Sequence, residues 1–236
     1  MEISTLIGFG PTGWGDEIAW GVIVTVSLAL ATLPFGLTLG FFAALAKQSS
    51  EPMLRLAGNI FTTIFRGLPE LLTLFLVYYG VQLGIQQVAR MISPGATIEF
   101  NSFVAGMIAL GVVFSSYASE VFLSAFRAIP VGQYEGGYAI GLSRFQTMRL
   151  VVLPQLIRIA LPGLSNLWLI LLKDTALVSV IGLSDILRQA GIAARVSKQA
   201  FLFFGIACLL YLMLAMLSSV AFSRIERWAG RSGVHR

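Results

Sequence analysis

The chain has 236 residues, of which 57% are hydrophobic and 11% charged, with mean hydropathy of +0.85. An ordinary soluble domain carries about 25% charged residues, so this composition excludes both disorder and a typical soluble enzyme. Sixteen basic against eleven acidic residues give +5, but no Lys/Arg-rich stripe with interleaved aromatics accompanies them, so nucleic acid is not an expected partner. One cysteine, Cys208, and one histidine, His235, exclude a disulfide framework, a Cys-His catalytic pair and a Cys/His metal site.

The N-terminal tail contains Gly8-Phe9-Gly10-Pro11-Thr12-Gly13, a literal G-x-G-x-x-G. A dinucleotide site needs a strand before it and a helix after it in a βαβ unit; the tail is therefore expected to be a flexible outer segment. No Lys or Arg precedes Lys47, so the basic region of a cleaved signal is missing and the first apolar run is expected to stay in the membrane.

Uncharged runs of 29 residues (Glu17 to Lys47), 19 (Glu70 to Arg90), 20 (Glu99 to Glu120) and 25 (Lys198 to Arg224) follow. A helix needs about 20 apolar residues to cross a bilayer, and only helices or closed barrels satisfy their backbone there. No alternating barrel pattern is present. A weaker run, with 14 uncharged residues between Arg158 and Lys173, enters irregularly through Pro154 and Pro162. Five membrane helices are expected, at 19–46, 56–89, 102–128, 156–180 and 199–226, forming one all-α integral membrane domain over 1–236. The second is interrupted by Arg66-Gly67-Leu68-Pro69-Glu70 and should kink at Pro69. Gly36/Gly40 and Gly80/Gly84 are spaced for close helix packing.

Between the third and fourth spans, residues 129–154 are expected to form two short amphipathic helices joined near Gly141. Residues 182–199 suit a further short amphipathic helix, at the outer surface or partly re-entrant. Ten basic residues fall on the side of this 129–154 loop and four on the other. The positive-inside rule places the loop and C-terminus in the cytoplasm and the N-terminus outside. The three lysines follow Ala46, Leu172 and Ser197, so no G-x-x-x-x-G-K-[ST] phosphate cradle exists.

The loop reads Glu135-Gly136-Gly137, then Gly141, then Val151-Val152-Leu153-Pro154. This resembles the EAA-x3-G-x9-I-x-L-P loop of ABC importer permeases, with Gly136-Gly137 in place of Ala-Ala and Val151 in place of Ile. The longer text, including Phe65 to Pro69, Leu161 to Asn166 and Leu172 to Ser179, is similar to the polar amino acid uptake permeases. Its nearest resemblance is to the histidine/lysine/arginine/ornithine and opine branch.

The resemblance implies a type I (MetI-like) importer permease fold in the bacterial inner membrane. It also implies a homologous second permease subunit, the same or different, two ATP-binding subunits below and an extracytoplasmic substrate-binding protein above. ATP and magnesium would lie on the ATPase, with no cofactor or metal on this chain. Glu135, Gly136, Gly137, Gly141, Leu153 and Pro154 would carry the ATPase contact. Glu135 would make a charge-assisted contact or cap its helix, and Gly141 would permit a sharp turn. The two glycines lower helix propensity by about 0.8–1 kcal/mol each, which implies a looser first coupling helix.

Charges in spans are costly and mark pairs, cavities or substrate paths. Arg66, Glu70, Glu120 and Lys173 are the candidates, Arg66 and Glu70 sharing a helical face unless Pro69 intervenes. A carboxylate at Glu70, with Glu120, would favour a cationic substrate, and Arg66 would engage an α-carboxylate. The alternative class is a proton-coupled secondary transporter using Glu70, Glu120 and Lys173 as a relay, which leaves the 129–154 loop unexplained.

Overall fold

The computed structural model describes residues 3–10, 13–92 and 101–231. A short helix α1 (Ile3–Ile7) precedes α2 (Gly15–Gln48), α3 (Pro52–Gly67), α4 (Glu70–Ile92) and α5 (Ser102–Ala128). Then come α6 (Val131–Ala139), α7 (Arg144–Thr147), α8 (Leu153–Asp174), α9 (Ile186–Ser197) and α10 (Ala200–Arg231). Among the described residues, five segments are long and apolar enough to cross a membrane: Gly15–Gln48, Glu70–Met91, Ser102–Ala128, Arg144–Ile181 and Ala200–Gly230.

Helix α5 is the centre, with α2, α3, α4 and α8 packed around it. Small residues make this possible: Ala105, Gly106, Ala109, Gly111 and Ala118 are buried along α5. Gly36 and Gly40 of α2 close onto it, since a Cβ there would sit 2.5 Å from Phe114 Cδ1 and 2.8 Å from Ser115 O. Gly80 and Gly84 behave differently. Nothing lies within 4 Å of a Cβ at either, so their spacing serves no contact among the described residues.

The tail is ordered where described, contrary to the flexible segment expected. Leu6 is buried, Trp14 N–H donates to Leu6 O at 3.0 Å, and Gly15 N–H donates to Gly8 O at 3.1 Å. The glycines permit this folded-back turn, because a Cβ on Gly13 would fall 1.8 Å from Gly8 O; Pro11 and Thr12 lie outside the described residues.

The expected 56–89 helix is two helices. Leu68 is extended (φ −89°, ψ 142°), as the residue before a proline must be to clear its ring. Helix α3 is thus a separate amphipathic helix against α2 and α5, and the membrane-length segment begins at Glu70.

The 129–154 region also departs from two short helices. After α6 the chain turns at Gly141 (φ +85°), and Ser143 and Gln146 form a reciprocal capping box that starts α7. Helix α7 then runs without a break through a π-helical turn, Met148–Val152, into α8. The widened turn stands directly before Pro154, which has no N–H to bond one turn back. The second short helix is therefore the first part of a membrane-length helix.

Helix α8 ends in a tighter 3-10 stretch, Thr175–Ile181, closed by Gly182 at φ +95°. Helix α9 follows at the end of the bundle where α2 begins, burying Ile186, Ala190, Ala193 and Ala194 against Ile18, Phe203 and Ala207. Its cap is Asp185, fully buried, which accepts from Leu187 N at 3.3 Å, Arg188 N at 3.0 Å and the Tyr211 hydroxyl at 3.3 Å. Thr25 of α2 accepts from Ile186 N at 3.3 Å.

Burial pushes the Asp185 carboxyl up to about 6, against its backbone and tyrosine hydrogen bonds. A raised acid binds its proton in the folded chain where the unfolded chain has lost it. Its contribution is therefore complete at low pH and falls as pH rises through the window from about 4 to about 6. Thermal unfolding of wild type and Asp185→Asn in detergent should diverge across that window, with the asparagine variant relatively more stable at pH 7. Parallel curves from pH 4 to 7 would contradict this account of the cap.

Candidate functional site

Where α2 ends, it meets α3 and α5 in a charged cluster. Lys47 Nζ lies 2.5 Å from Glu120 Oε1, and Arg66 Nη1 lies 3.0 Å from the same oxygen. Lys47 also donates to Thr62 Oγ1 at 3.2 Å, and Thr62 donates to Gly58 O at 3.0 Å. Gly58 admits the lysine stem, since a Cβ there would lie 2.8 Å from Lys47 Cγ. The side chain of Lys47 is 7% exposed, whereas Glu120 and Arg66 are 33% and 45% exposed. One carboxylate faces two cations, so the cluster carries a net positive charge, presented on the Arg66 side.

Arg66 also stands over the Tyr117 ring, 5.6 Å from its centroid, within cation–π range. Tyr117 and Asp174 both line a narrow cleft between α5 and α8. Glu70, the first residue of α4, acts electrostatically on Asp174, and Lys173 is its exposed neighbour. Glu70, Asp174 and Lys173 together carry a net negative charge. Arg66 and Glu70 do not share a helical face, because Pro69 ends one helix and opens the next. The four predicted charges thus divide into two groups of opposite excess, Arg66 and Glu120 with Lys47, and Glu70 and Lys173 with Asp174. Sequence reasoning missed Lys47, Tyr117 and Asp174. Lys47 looked like an interfacial charge, and Asp174 stood in the Leu172-to-Ser179 text without a partner to mark it.

At the end of the bundle where α5 stops, Glu135 is exposed on α6, past its first turn. The helix-capping role is therefore not its own: Pro130 holds the cap position, with no side-chain bond. Gly136 faces open space, but Gly137 is buried against α7, where a Cβ would meet Thr147 Cγ2 at 2.6 Å and Oγ1 at 2.9 Å. Gln155 Nε2 donates to Gln133 Oε1 at 2.9 Å and to Val151 O at 2.8 Å, tying α6 to the start of α8. Leu153 packs on the core and Pro154 is exposed. Around Glu135 the surface presents Val131, Tyr138, Ile140 and Phe145. This apolar patch with one carboxylate is suited to docking another protein. No His/Cys/Asp/Glu group that could hold a metal occurs among the described residues.

Residues 36–227 match the family model described as the binding-protein-dependent transport system inner membrane component. The nopaline transport system permease protein NocQ of Agrobacterium fabrum is 41% identical, covering 96% of this chain and 97% of that relative. The arginine ABC transporter permease protein ArtQ of Haemophilus influenzae is 40% identical, covering 86% and 89%. The crystal structure of an amino acid ABC transporter with histidines superposes with a TM-score of 0.76 at 31% identity, covering 91% of this chain and 94% of that one.

Proposed function

This chain belongs to the family of binding-protein-dependent transport system inner membrane components, and from that premise we propose that it carries basic amino acids or opines across the membrane. It is a permease subunit of an ATP-driven importer, with the type I (MetI-like) helical fold. It works with ATP-binding subunits and an extracytoplasmic binding protein. The complex pairs this chain with a second permease subunit and two ATPases, which hold ATP and magnesium. The N-terminus faces outward and the α6–α7 turn faces the ATPases.

One observation carries the substrate assignment: Tyr117 packs under Arg66 of the positive group and shares a cleft with Asp174, which interacts with Glu70 in the negative group. A basic amino acid has the matching polarity. Its α-carboxylate is drawn to Arg66, whose share of Glu120 is divided with Lys47. Its cationic side chain is drawn to Glu70 and Asp174 and passes the π face of Tyr117. Because Glu120 is already held by two cations, selection of the cationic end belongs to Glu70 and Asp174. Exposed Lys173 moderates their charge.

Movement follows from the 129–154 region. ATPase closure drags α6, and the Gln133–Gln155 bond and Gly137–Thr147 contact pass that displacement to α7 and α8 as one rigid body. Glu135 meets a cationic or N–H-rich groove on the ATPase.

The test is ATPase activity and uptake in proteoliposomes assembled with the partner subunits and loaded binding protein. Wild type should be stimulated by cationic substrates. Glu70→Gln with Asp174→Asn should lower the preference for cationic over neutral amino acids about tenfold, the scale of one or two partly screened charge contacts. Glu135→Lys should uncouple hydrolysis from uptake. Unchanged preference would refute the selectivity assignment. Uptake driven by a proton gradient without the ATPase would refute the importer reading itself.

A further inference from the structure

At the end of the bundle opposite α6, α9 and the first turns of α10 enclose a groove of about 450 Å³. Arg188 and Arg195, seven positions apart on α9, project into it, and Ala200 and Phe204 of α10 form its other wall. Among the described residues, no acidic side chain lines it. Arg188 is held in place by donating Nη1 to Ser179 O at 3.1 Å, which leaves its other N–H groups for a ligand. Arg195 is exposed in the last turn of α9. Asp185 is turned away, fully buried and committed to the cap.

The surroundings identify the kind of anion. The groove opens onto α10, a membrane-length helix whose outward face begins at Phe201, 96% exposed, and continues through Phe204, Leu209, Leu212 and Met213. A soluble anion has no use for that apolar continuation. A lipid uses both parts: its phosphate meets the guanidinium forks and its acyl chains lie along the apolar face. We propose that Arg188 and Arg195 form a binding site for the phosphate of an anionic phospholipid whose acyl chains run down α10.

Occupancy would fasten α9 to the bilayer and offset one of the two arginine charges beside a membrane-length helix. The experiment is native mass spectrometry of the chain purified with its companion permease and ATPase subunits. Phosphatidylglycerol and phosphatidylcholine of the same chain length are added in turn. Phosphatidylglycerol should be retained in preference, and its apparent affinity should fall about fivefold for each arginine lost, as in Arg188→Gln and Arg195→Glu, while phosphatidylcholine retention is unchanged. Should Arg188→Gln fail to assemble, Arg195→Glu carries the test, because its exposed side chain holds no part of the fold together. Equal phosphatidylglycerol retention in Arg195→Glu overturns the proposal. So does displacement of the lipid by glycerol phosphate at equal concentration, which would make the site one for a soluble phosphate. Weakened binding-protein affinity with lipid retention intact also overturns it, and assigns the groove to protein docking.

Discussion

Gly137→Leu should reduce ATPase stimulation by loaded binding protein at least tenfold while leaving the membrane bundle folded. A side chain at 137 has nowhere to go: its first carbon would lie 2.6 Å from Thr147 Cγ2 and 2.9 Å from Thr147 Oγ1. Thr147 cannot retreat, being fully buried between the Ser143–Gln146 capping box and the π-helical turn. Forcing extra volume into such a contact costs about 1–3 kcal/mol, which here is relieved by lifting α6 from α7. The lever is then disconnected where it should transmit. Gly136 next to it is the control, since nothing lies within 4 Å of a Cβ there. Gly136→Ala should gain about 0.8–1 kcal/mol of helix propensity and transmit normally. The double variant Gly137→Ala, Thr147→Ala should recover coupling lost in Gly137→Ala alone, because both clashing atoms are gone. Thr147 Oγ1 has no hydrogen-bond partner among the described residues, so its removal breaks nothing polar there. Normal stimulation in Gly137→Leu would mean that force does not pass through the α6–α7 contact.

Glu120→Gln should be the most destabilising single change in the charged cluster. It leaves Lys47, 7% exposed, and Arg66 facing each other without a counter-charge. Breaking a buried pair costs about 3–5 kcal/mol, while an exposed pair is worth at most about 1 kcal/mol. With Glu120 itself one-third exposed, a loss of about 2–3 kcal/mol lies between those limits. Arg66→Ala should cost far less, since that side chain is 45% exposed. Removing both charges of the inner pair, Lys47→Met with Glu120→Leu, should recover most of the stability, because the charge that then lacks a partner is Arg66, 45% exposed, and not the buried Lys47. Thermal unfolding of wild type and the three variants in detergent ranks these losses. An unchanged melting temperature for Glu120→Gln would show that the cluster is held open to water and contributes nothing to the fold.

The 129–154 loop and the charged cluster differ in how far residue order reveals them. Gly141 in a turn, the Glu135-to-Pro154 spacing and the short helix within it all follow from local order along the chain. Helix propensity misleads at one point, in treating Gly136 and Gly137 alike as loosening one helix. Propensity is counted per residue and is blind to Thr147, ten positions on, which makes one glycine obligatory and leaves the other free. The charged cluster has no such local signature. Lys47 and Glu120 are 73 positions apart, and nothing in either neighbourhood announces the other.

Residue order is thus enough for the membrane class, the five apolar segments and the family. Solvation in lipid is a property of about 20 consecutive residues, and the family's coupling motif is a local text. Residue order also marks the break at Pro69, although not that the chain forms two helices there. How the charges divide is a matter of packing: Arg66 goes with Glu120 and Lys47, Glu70 with Asp174, and Tyr117 touches Arg66 and shares a cleft with Asp174. Packing likewise buries Asp185 under α9 and joins α7 to α8. Charge pairing in a low-dielectric bundle depends on distances across helices, and those distances are set by close contacts such as Gly36 on Phe114 and Gly58 on Lys47, which no periodicity encodes.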